Sequence, residues 1–446
     1  MTPAATAFTE GNRLRDLGHP AQAAALYRRA LAADPAHVEA HRNLLLSLLF
    51  SPESHNAERF AEHRRFAENF APAAVAAHDN CPDPHRRLRI GYLSCHFAGN
   101  PVGRAVEPLF THCDRKAFAP FCYAELDRPD GLSARFRSLA EGWRAIDGLS
   151  DAQVTQAIRD DGIDILVCLA GHLDRNRPLV AAYRPAPIQI SYHDAATSGL
   201  DAMDYLLTDG VLSPRDVSER FTERLIRLPV LAYMAPPAGA PECGTRAAGP
   251  LMFGCFNAPA KLSPPTLEAW AALLHRVPHS RLLLRFRDAF ADPALRRQLH
   301  DFFAGRGIGA DRLDLRGDCG ADHPLAIYRE VDITLDPHPF SGSTVTFESL
   351  WMGVPVVSWP GDAMVGRWSA ALLGAVGLRD LIASGAEDYV ARAAALAAQS
   401  ERRDALRADL RPRIAASSLC DGPAKTRQIE RLYRAFWRRW CNERTV

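Results

Sequence analysis

The feature that most constrains this chain is an alternation of short, apolar, β-rich runs with helical stretches, and it occurs twice. LRIGYLS from Leu88, FCYA from Phe121, IDILVCL from Ile163 and IQISY from Ile188 make the first series. LMFGCFN, RLLLRF, RLDL, VDITLD and VPVVSW make the second, and the Pro- and Gly-rich stretch 236–250 (PPAGAPECGTRAAGP) divides the two. Strands that alternate with helices are joined by crossovers, which gives parallel sheets covered on both faces. Two series parted by a linker therefore predict an α/β chain with two doubly wound, Rossmann-like lobes. On such sheets ligands bind beyond the carboxyl ends of the strands, here expected in a cleft between lobes, so the loops that leave the strands are where chemistry is sought.

Ahead of the first strand, residues 6–70 read as helix after helix. In GNRLRDLGHPAQAAALYRRALAADP, Gly11, Gly18, Ala23, Tyr27, Ala30 and Pro35 fall at the spacing of a tetratricopeptide (TPR) repeat. Small residues let two antiparallel helices approach, the aromatic fills the gap, and proline ends the second helix. VEAHRNLLLSLLF begins a second unit that soon degenerates. So short an array buries little surface alone and is expected to dock onto the following domain. The expected organisation is a TPR-like all-α segment at 1–80, a first lobe at 86–240, a second, nucleotide-binding lobe at 250–405, and C-terminal helices at 406–446 packing back across the lobes. In the last helix, Ile429, Leu432, Tyr433, Phe436, Trp437 and Trp440 form an apolar stripe flanked by Arg431, Arg434, Arg438 and Arg439. A strap across the lobes or a membrane-surface helix would both use such a stripe.

Composition narrows the function class. Fifty-three basic residues against fifty-two acidic ones leave no overall field to draw nucleic acid or an anionic membrane. An anionic ligand must be held by a local site. No basic region followed by an apolar run opens the chain and no stretch of about 18 apolar residues occurs, so a cytoplasmic protein is expected. The ten cysteines make no C-x-x-C pair, and no H-E-x-x-H spacing occurs, which argues for reduced thiols and no metal.

Three stretches place reactive groups on loops that leave strands. In LDPHPFSGSTVTFESLWMGVPVVSWPG (335–361), Ser341, Gly342, Ser343 and Thr344 lead into a helix whose N-terminal N–H groups and dipole suit a phosphate. Glu348, a turn later, can accept from a ribose diol; the plainer reading is a serine N-cap followed by a glutamate. Asn257 and Lys261 follow the first strand of the second series, where a lysine can neutralise a leaving diphosphate without a metal. His172 ends an apolar strand, His96 follows the first strand, and His323 precedes the strand that reaches Asp336.

Taken together, these residues resemble the O-GlcNAc transferase/SPINDLY family of protein O-glycosyltransferases over roughly residues 6–440. The matching stretches are the repeat, RIGYLS (89–94), DGIDILVCLAGH (161–172), RPAPIQ (184–189), TSG with MDYLLTD (197–209), FNAPAKLSPPTLEAW (256–270), the 336–355 stretch and SSLCDGPAKTRQIERLYRAFW (417–437). The resemblance implies a GT-B fold and an inverting, metal-independent transfer of sugar from a UDP-GlcNAc or GDP-fucose-like donor to Ser or Thr of a protein. The TPR-like segment would recruit that acceptor. By the same resemblance Lys261 is the diphosphate lysine and His323 the base-contacting histidine. Thr344 and Val345 stand where two threonines contact the phosphates, Glu348 stands at the ribose acid, and Gly342, Ser343 and Asn257 line the donor. His172 matches the histidine ending the first-lobe strand.

The chain also departs from the family. Asn100 stands where a histidine is usual after the first strand, and residues 191–197 (SYHDAAT) replace a turn that carries Gly-Tyr-Pro. Cys168 replaces an acidic or amide residue, and Val345 one of the paired threonines. With Asn100 in place of the usual histidine, His172 is the leading general base, and His96 and His193 are the other candidates. A different sugar or acceptor, such as flagellin or another surface protein, and an inactive interaction module are the alternative readings.

Overall fold

The computed structural model describes residues 2–72, 77–246, 249–318, 320 and 323–444. They form two compact units, one holding residues 36–46, 56–235 and 421–446, the other 1–35, 47–55 and 236–420. Each is built on a parallel sheet.

The first sheet comprises β1 (Leu88–Ser94), β2 (Phe118–Ala124), β3 (Gly142–Ala145), β4 (Ile165–Leu169), β5 (Ile188–Tyr192), β6 (Tyr205–Asp209) and β7 (Arg224–Leu228). Their order is β3-β2-β1-β4-β5-β6-β7. The chain winds outward from β1 to β3, then crosses back to lay β4 on the other side of β1, with Leu93 opposite Cys168. All five residues of β4, and all five of β5, are buried. That is why these strands read as continuous apolar runs rather than alternating ones.

The second sheet repeats the device with β8 (Met252–Cys255), β9 (Arg281–Arg285), β10 (Leu313–Arg316), β11 (Ile333–Leu335) and β12 (Val356–Val357). The order β10-β9-β8-β11-β12 puts its reversal between β8 and β11, where Thr334 faces Gly254. Both sheets thus have a topological switch point, the place where loops diverge and a ligand can enter.

The helical segment divides between the units. Helices α1 (Pro3–Asp16) and α2 (Pro20–Ala33) pair around Tyr27, which is fully buried and donates its hydroxyl to Asn12 at 2.7 Å. They dock on the second-sheet unit, not on the domain that follows them in sequence: His19 Nε2 meets Gln298 Oε1 at 3.0 Å, and Gln298 Nε2 reaches the Leu17 carbonyl. Helix α3 (Val38–Phe50) contributes residues 38–46 to the first-sheet unit and its last residues to the second, where Phe50 packs on Phe340 with centroids 4.7 Å apart. Helix α4 (Asn56–Phe70) lies wholly in the first-sheet unit.

The stretch 406–446 divides too. The helix Ser400–Ala415 groups with the second sheet, where Arg411 Nε donates to the Trp351 carbonyl at 2.9 Å. The last helix, Gly422–Arg444, groups with the first. Its stripe buries Ile429, Tyr433, Phe436 and Trp437 there. Phe436 stacks flat on Tyr205 at 4.0 Å, and Trp437 Nε1 donates to the Asp83 carbonyl at 2.8 Å. At ~1.5–3 kcal/mol for each large side chain taken from water, this packing occupies the face that a membrane-surface helix would need.

Candidate active site

In the second-sheet unit the switch point brings together the loop after β8 and the loop after β11. Lys261 comes from the first. Its Nζ donates to the Ser341 carbonyl at 2.8 Å and to Asn257 Oδ1 at 3.2 Å, and it lies 4.4 Å from the centre of the Phe340 ring. The residue as a whole is half-buried, but its ammonium is packed between these groups. Burial pushes it down to about 8, against the pull of Asp336 and Cys255.

Asp336, at the end of β11, organises the second loop. Oδ1 accepts the Gly342 N–H at 2.6 Å, and Oδ2 accepts the Ser358 hydroxyl at 2.6 Å. Burial raises this carboxyl to about 6 despite those donors. Gly342 has to be glycine, since a Cβ there would stand 2.6 Å from Thr346 Oγ1 and 3.1 Å from Asp336 Oδ1. Ser341 Oγ donates to the Val365 carbonyl and accepts from Trp368 N, while Ser369 Oγ donates to the Gly342 carbonyl at 3.1 Å.

The helix Thr344–Trp351 follows, and here the two sequence readings part. Ser343 is its N-cap residue, but its side chain makes no capping hydrogen bond. The first N–H groups of this helix are therefore not served by that hydroxyl, as an anion seat requires. Thr344, Val345 and Glu348 are half-buried on this helix. His323 is the N-cap of a short 3₁₀ turn. Its Nδ1 accepts the Leu325 N–H at 3.1 Å, which leaves Nε2 as the protonated nitrogen, 3.4 Å from the Ala238 carbonyl.

In the first-sheet unit the pairing of β1 with β4 brings the loop carrying His96 beside the loop carrying His172 and Asp174. His96 Nε2 meets Asp174 Oδ2 at 2.8 Å, and its Nδ1 lies 3.3 Å from both Ser94 Oγ and Asn176 Nδ2. The Asp174 side chain is 74% exposed and the His96 side chain 10%. Burial opposes charge on His96, but Asp174 and Cys95 outweigh it and raise the imidazole to about 9. Asn176 ties the loops together: its Oδ1 accepts from Ser94 Oγ and Cys95 N, and its Nδ2 donates to the Leu173 carbonyl.

His172, expected as general base, has a different setting. Its Nε2 donates to the Ser198 carbonyl at 2.8 Å, and its Nδ1 is buried without a partner. Phe66 meets the ring edge-on at 4.7 Å and His63 at 5.4 Å. Burial, with His63 and Arg42 nearby, holds its pKa well below the ordinary 6.5. The ring joins the β4 loop to the β5 loop and exposes no free nitrogen to solvent. Asn100 is committed as well. It caps the helix Pro101–Val106, accepting the Gly103 N–H at 2.9 Å while its amide donates to the His96 carbonyl. A carboxamide so engaged cannot take a proton from a hydroxyl.

The divergent stretch 191–197 closes on itself. Asp194 Oδ2 accepts Ser191 Oγ at 2.9 Å, Oδ1 accepts Ala195 N at 2.8 Å, and burial raises this carboxyl to about 7. Gly171, at φ 40°, makes room: a Cβ there would fall 1.8 Å from Asp194 Oδ2. Thr197 Oγ1 donates to Glu223 Oε2 at 2.7 Å, and Ser198 N to Oε1 at 2.7 Å. His193 is half-buried beside Tyr192, and desolvation of its ring with Lys425 and His96 nearby lowers it to about 3. Cys168 is a buried strand thiol. Sequence reasoning missed Asp174 and Asn176, which lie just past the end of the DGIDILVCLAGH stretch (161–172). Among the described residues, no group of three or more His, Cys, Asp or Glu is placed to hold a metal.

Comparison with known proteins settles the family. The glycosyl transferase family 41 profile matches residues 68–236 and 247–429, which span both sheets. The chain belongs to glycosyl transferase family 41. Among curated relatives, proteins named probable UDP-N-acetylglucosamine–peptide N-acetylglucosaminyltransferase SPINDLY are similar to it. The tomato (Solanum lycopersicum) protein is 34% identical over 424 residues, covering 92% of this chain and 45% of its own length. The rice (Oryza sativa subsp. japonica) protein is 35% identical over 428 residues, covering 93% of this chain and 46% of its own. The family 41 chain described here thus spans a little under half the length of these relatives. Among solved structures, a lysine-to-methionine mutant of the Thermobaculum terrenum O-GlcNAc transferase superposes with a TM-score of 0.93 at 36% identity, over 99% of this chain and 85% of that one. Sucrose-phosphate synthase from Thermosynechococcus elongatus, at TM-score 0.50 and 15% identity over 79% of this chain, shares the fold alone. The fold is of the GT-B type.

Proposed function

We propose that this chain is an inverting glycosyltransferase that moves a sugar from a nucleoside-diphosphate donor to a Ser or Thr hydroxyl of a protein or peptide. The observation that carries the reading is Lys261, a cation with its pKa near 8, bonded to the carbonyl of Ser341 at the mouth of the loop that leads to the side-chain-uncapped helix Thr344–Trp351. A nucleoside diphosphate seated there would meet a positive charge and free N–H groups together. The relatives' names give UDP-N-acetylglucosamine as donor and peptide as acceptor. A GDP-fucose-like donor is the second arm of the test.

In the proposed reaction the acceptor oxygen forms its bond to the anomeric carbon as the bond from that carbon to the diphosphate oxygen breaks, on the opposite face. The charge left on the diphosphate falls to Lys261 and the helix N-terminus, which makes a divalent metal unnecessary. For the acceptor proton the first-sheet unit, taken by itself, offers the His96–Asp174 pair: the carboxylate is exposed, and the imidazole, raised to about 9, is a strong base once deprotonated. This assigns His172 to holding the loop and Asn100 to capping. Incubation with UDP-N-acetylglucosamine and with GDP-fucose, over a library of Ser- and Thr-containing peptides, tests the reading by mass. A product heavier by one sugar is expected from one of the two donors. Hydrolysis alone, or no turnover from either, would overturn it.

A further inference from the structure

We propose that Arg42 of α3 is a positioning residue of the transfer reaction: its guanidinium binds the backbone from which Asp174 reaches His96. The inference rests on the reading just given and adds a role for the helical segment beyond recruitment of the acceptor.

The loop after β4 is conformationally demanding. Ala170 at φ 59°, Gly171 at φ 40° and Asp174 at φ 50° all adopt left-handed backbone, which an alanine holds only where its surroundings enforce it. The carbonyls of this turn have neither sheet nor helix partners, and of the three at 172–174 the Leu173 carbonyl also accepts from the backbone N–H and the amide of Asn176. Arg42 Nη2 answers three in a row, donating to His172 O at 3.0 Å, to Leu173 O at 3.4 Å and to Asp174 O. It does so at a cost, because burial lowers its pKa and its Nε is buried without a partner. A guanidinium held in this way, against carbonyls rather than a carboxylate, is a specific arrangement and not a solvated surface charge.

The neighbouring helix supports the same loop. Arg64 Nη1 of α4 donates to the Gly199 carbonyl at 3.0 Å, and Phe66 and His63 press on the His172 ring. The α3–α4 face therefore fixes the backbone of the β4 and β5 loops. Asp174 is the residue through which that fixation reaches chemistry, since its side chain projects from the third carbonyl that Arg42 holds. The other charged and titratable groups near this assembly are Cys95 beside His96, His193 with Lys425 beyond it, and Glu39 and Glu125 near Arg42.

The two ways in which Arg42 could matter predict opposite signs. If it acted only as a nearby cation, its removal would make protonation of His96 easier and raise that pKa. If it positions Asp174, its removal loosens the carboxylate from the imidazole and lowers that pKa toward the ordinary ~6.5. The test follows the His96 ring signal by NMR across pH, identified by its loss in His96→Gln, in full-length wild type, Arg42→Met, Arg42→Lys and Asp174→Asn. Donor binding is measured alongside by titration with the nucleoside diphosphate.

In Arg42→Met the His96 midpoint is expected to fall by at least a pH unit, in the same direction as in Asp174→Asn. Transfer is expected to drop about a hundredfold, as for a misplaced catalytic group, with nucleotide affinity unchanged. Arg42→Lys keeps the charge without the fork and is expected to lower the midpoint part-way; it also serves as the readout should the methionine variant not fold. A His96 midpoint that moves in Asp174→Asn but stays put or rises in folded Arg42→Met or Arg42→Lys overturns the proposal. A midpoint that moves in neither overturns the His96–Asp174 pairing itself. Shifts in both, from a protein that transfers no sugar, leave the positioning role standing and sink the transfer reading.

Discussion

Replacing Lys261 by methionine is expected to make the protein inactive and, near neutral pH, slightly more stable. The ammonium titrates near 8 instead of the ordinary 10.5. At ~1.4 kcal/mol per pH unit, holding that charge in place costs the unliganded fold ~3 kcal/mol. Methionine, similar in length and uncharged, removes this cost. It also removes two hydrogen bonds, to Asn257 Oδ1 and the Ser341 carbonyl, worth ~1 kcal/mol each. The balance is a gain of ~1 kcal/mol at pH 7. The sign depends on pH in a way that can be checked. Below pH 8 the lysine is charged in both folded and unfolded chains and the penalty is complete. Between 8 and 10.5 the unfolded chain binds more protons, so wild-type stability rises relative to the variant until the order of the two reverses. Denaturant unfolding of the nucleotide-free proteins at pH 7 and pH 10.5 measures this directly. Transfer should fall by ~2.7–4 kcal/mol in the barrier, roughly a hundred- to a thousandfold, because the leaving diphosphate loses its counter-charge. Near-full turnover, or a variant less stable than wild type by several kcal/mol at pH 7, would refute the reasoning.

A plot of kcat/KM against pH should be bell-shaped with its maximum midway between about 8 and about 9, since His96 must lose its proton while Lys261 keeps its own; a profile with a single limb removes one of the two from the reaction, and a flat one removes both. Asp336→Ala should weaken nucleoside diphosphate binding about tenfold by leaving the Gly342 N–H without its acceptor, and leave the His96 midpoint where it was; unchanged affinity by calorimetry would show that the loop holds its shape without the carboxylate. His172→Ala should lower stability by ~2–4 kcal/mol, because the ring fills the space between Phe66, His63 and the Ser198 carbonyl; loss of transfer at full stability would restore it as a catalytic group. Transfer should continue at full rate in excess chelator, and recovery on adding Mg²⁺ or Mn²⁺ would show that Lys261 does not stabilise the leaving group alone.

What the sequence made legible depends on the range of the interactions concerned. The parallel sheets, and the loop proposed for the nucleotide, could be read from the chain because their signals are local. A strand, a Gly-Ser turn and a helix lie within 335–361, and Lys261 lies six residues beyond the end of β8. The His96–Asp174 pair could not be read in the same way. His96 and Asp174 are 78 residues apart and meet only because β4 lies next to β1. Strand order is a property of the whole sheet that no window of sequence carries. The same limit applies to the hydrogen bonds that His172 and Asn100 make. Both stand where a family histidine or a strand end draws notice, but the partners that commit them differ in kind. The Gly103 N–H that Asn100 caps is three residues away, and an asparagine followed by proline and glycine at a helix start is a capping signal in its own right. The Ser198 carbonyl that occupies His172 belongs to the next strand's loop, and the Phe66 and His63 rings that bury it come from the helical segment about a hundred residues earlier. A catalytic histidine and a structural one can have the same local sequence. What tells them apart is where each ring nitrogen is directed, and that is decided by the packing of elements the chain brings together only when folded.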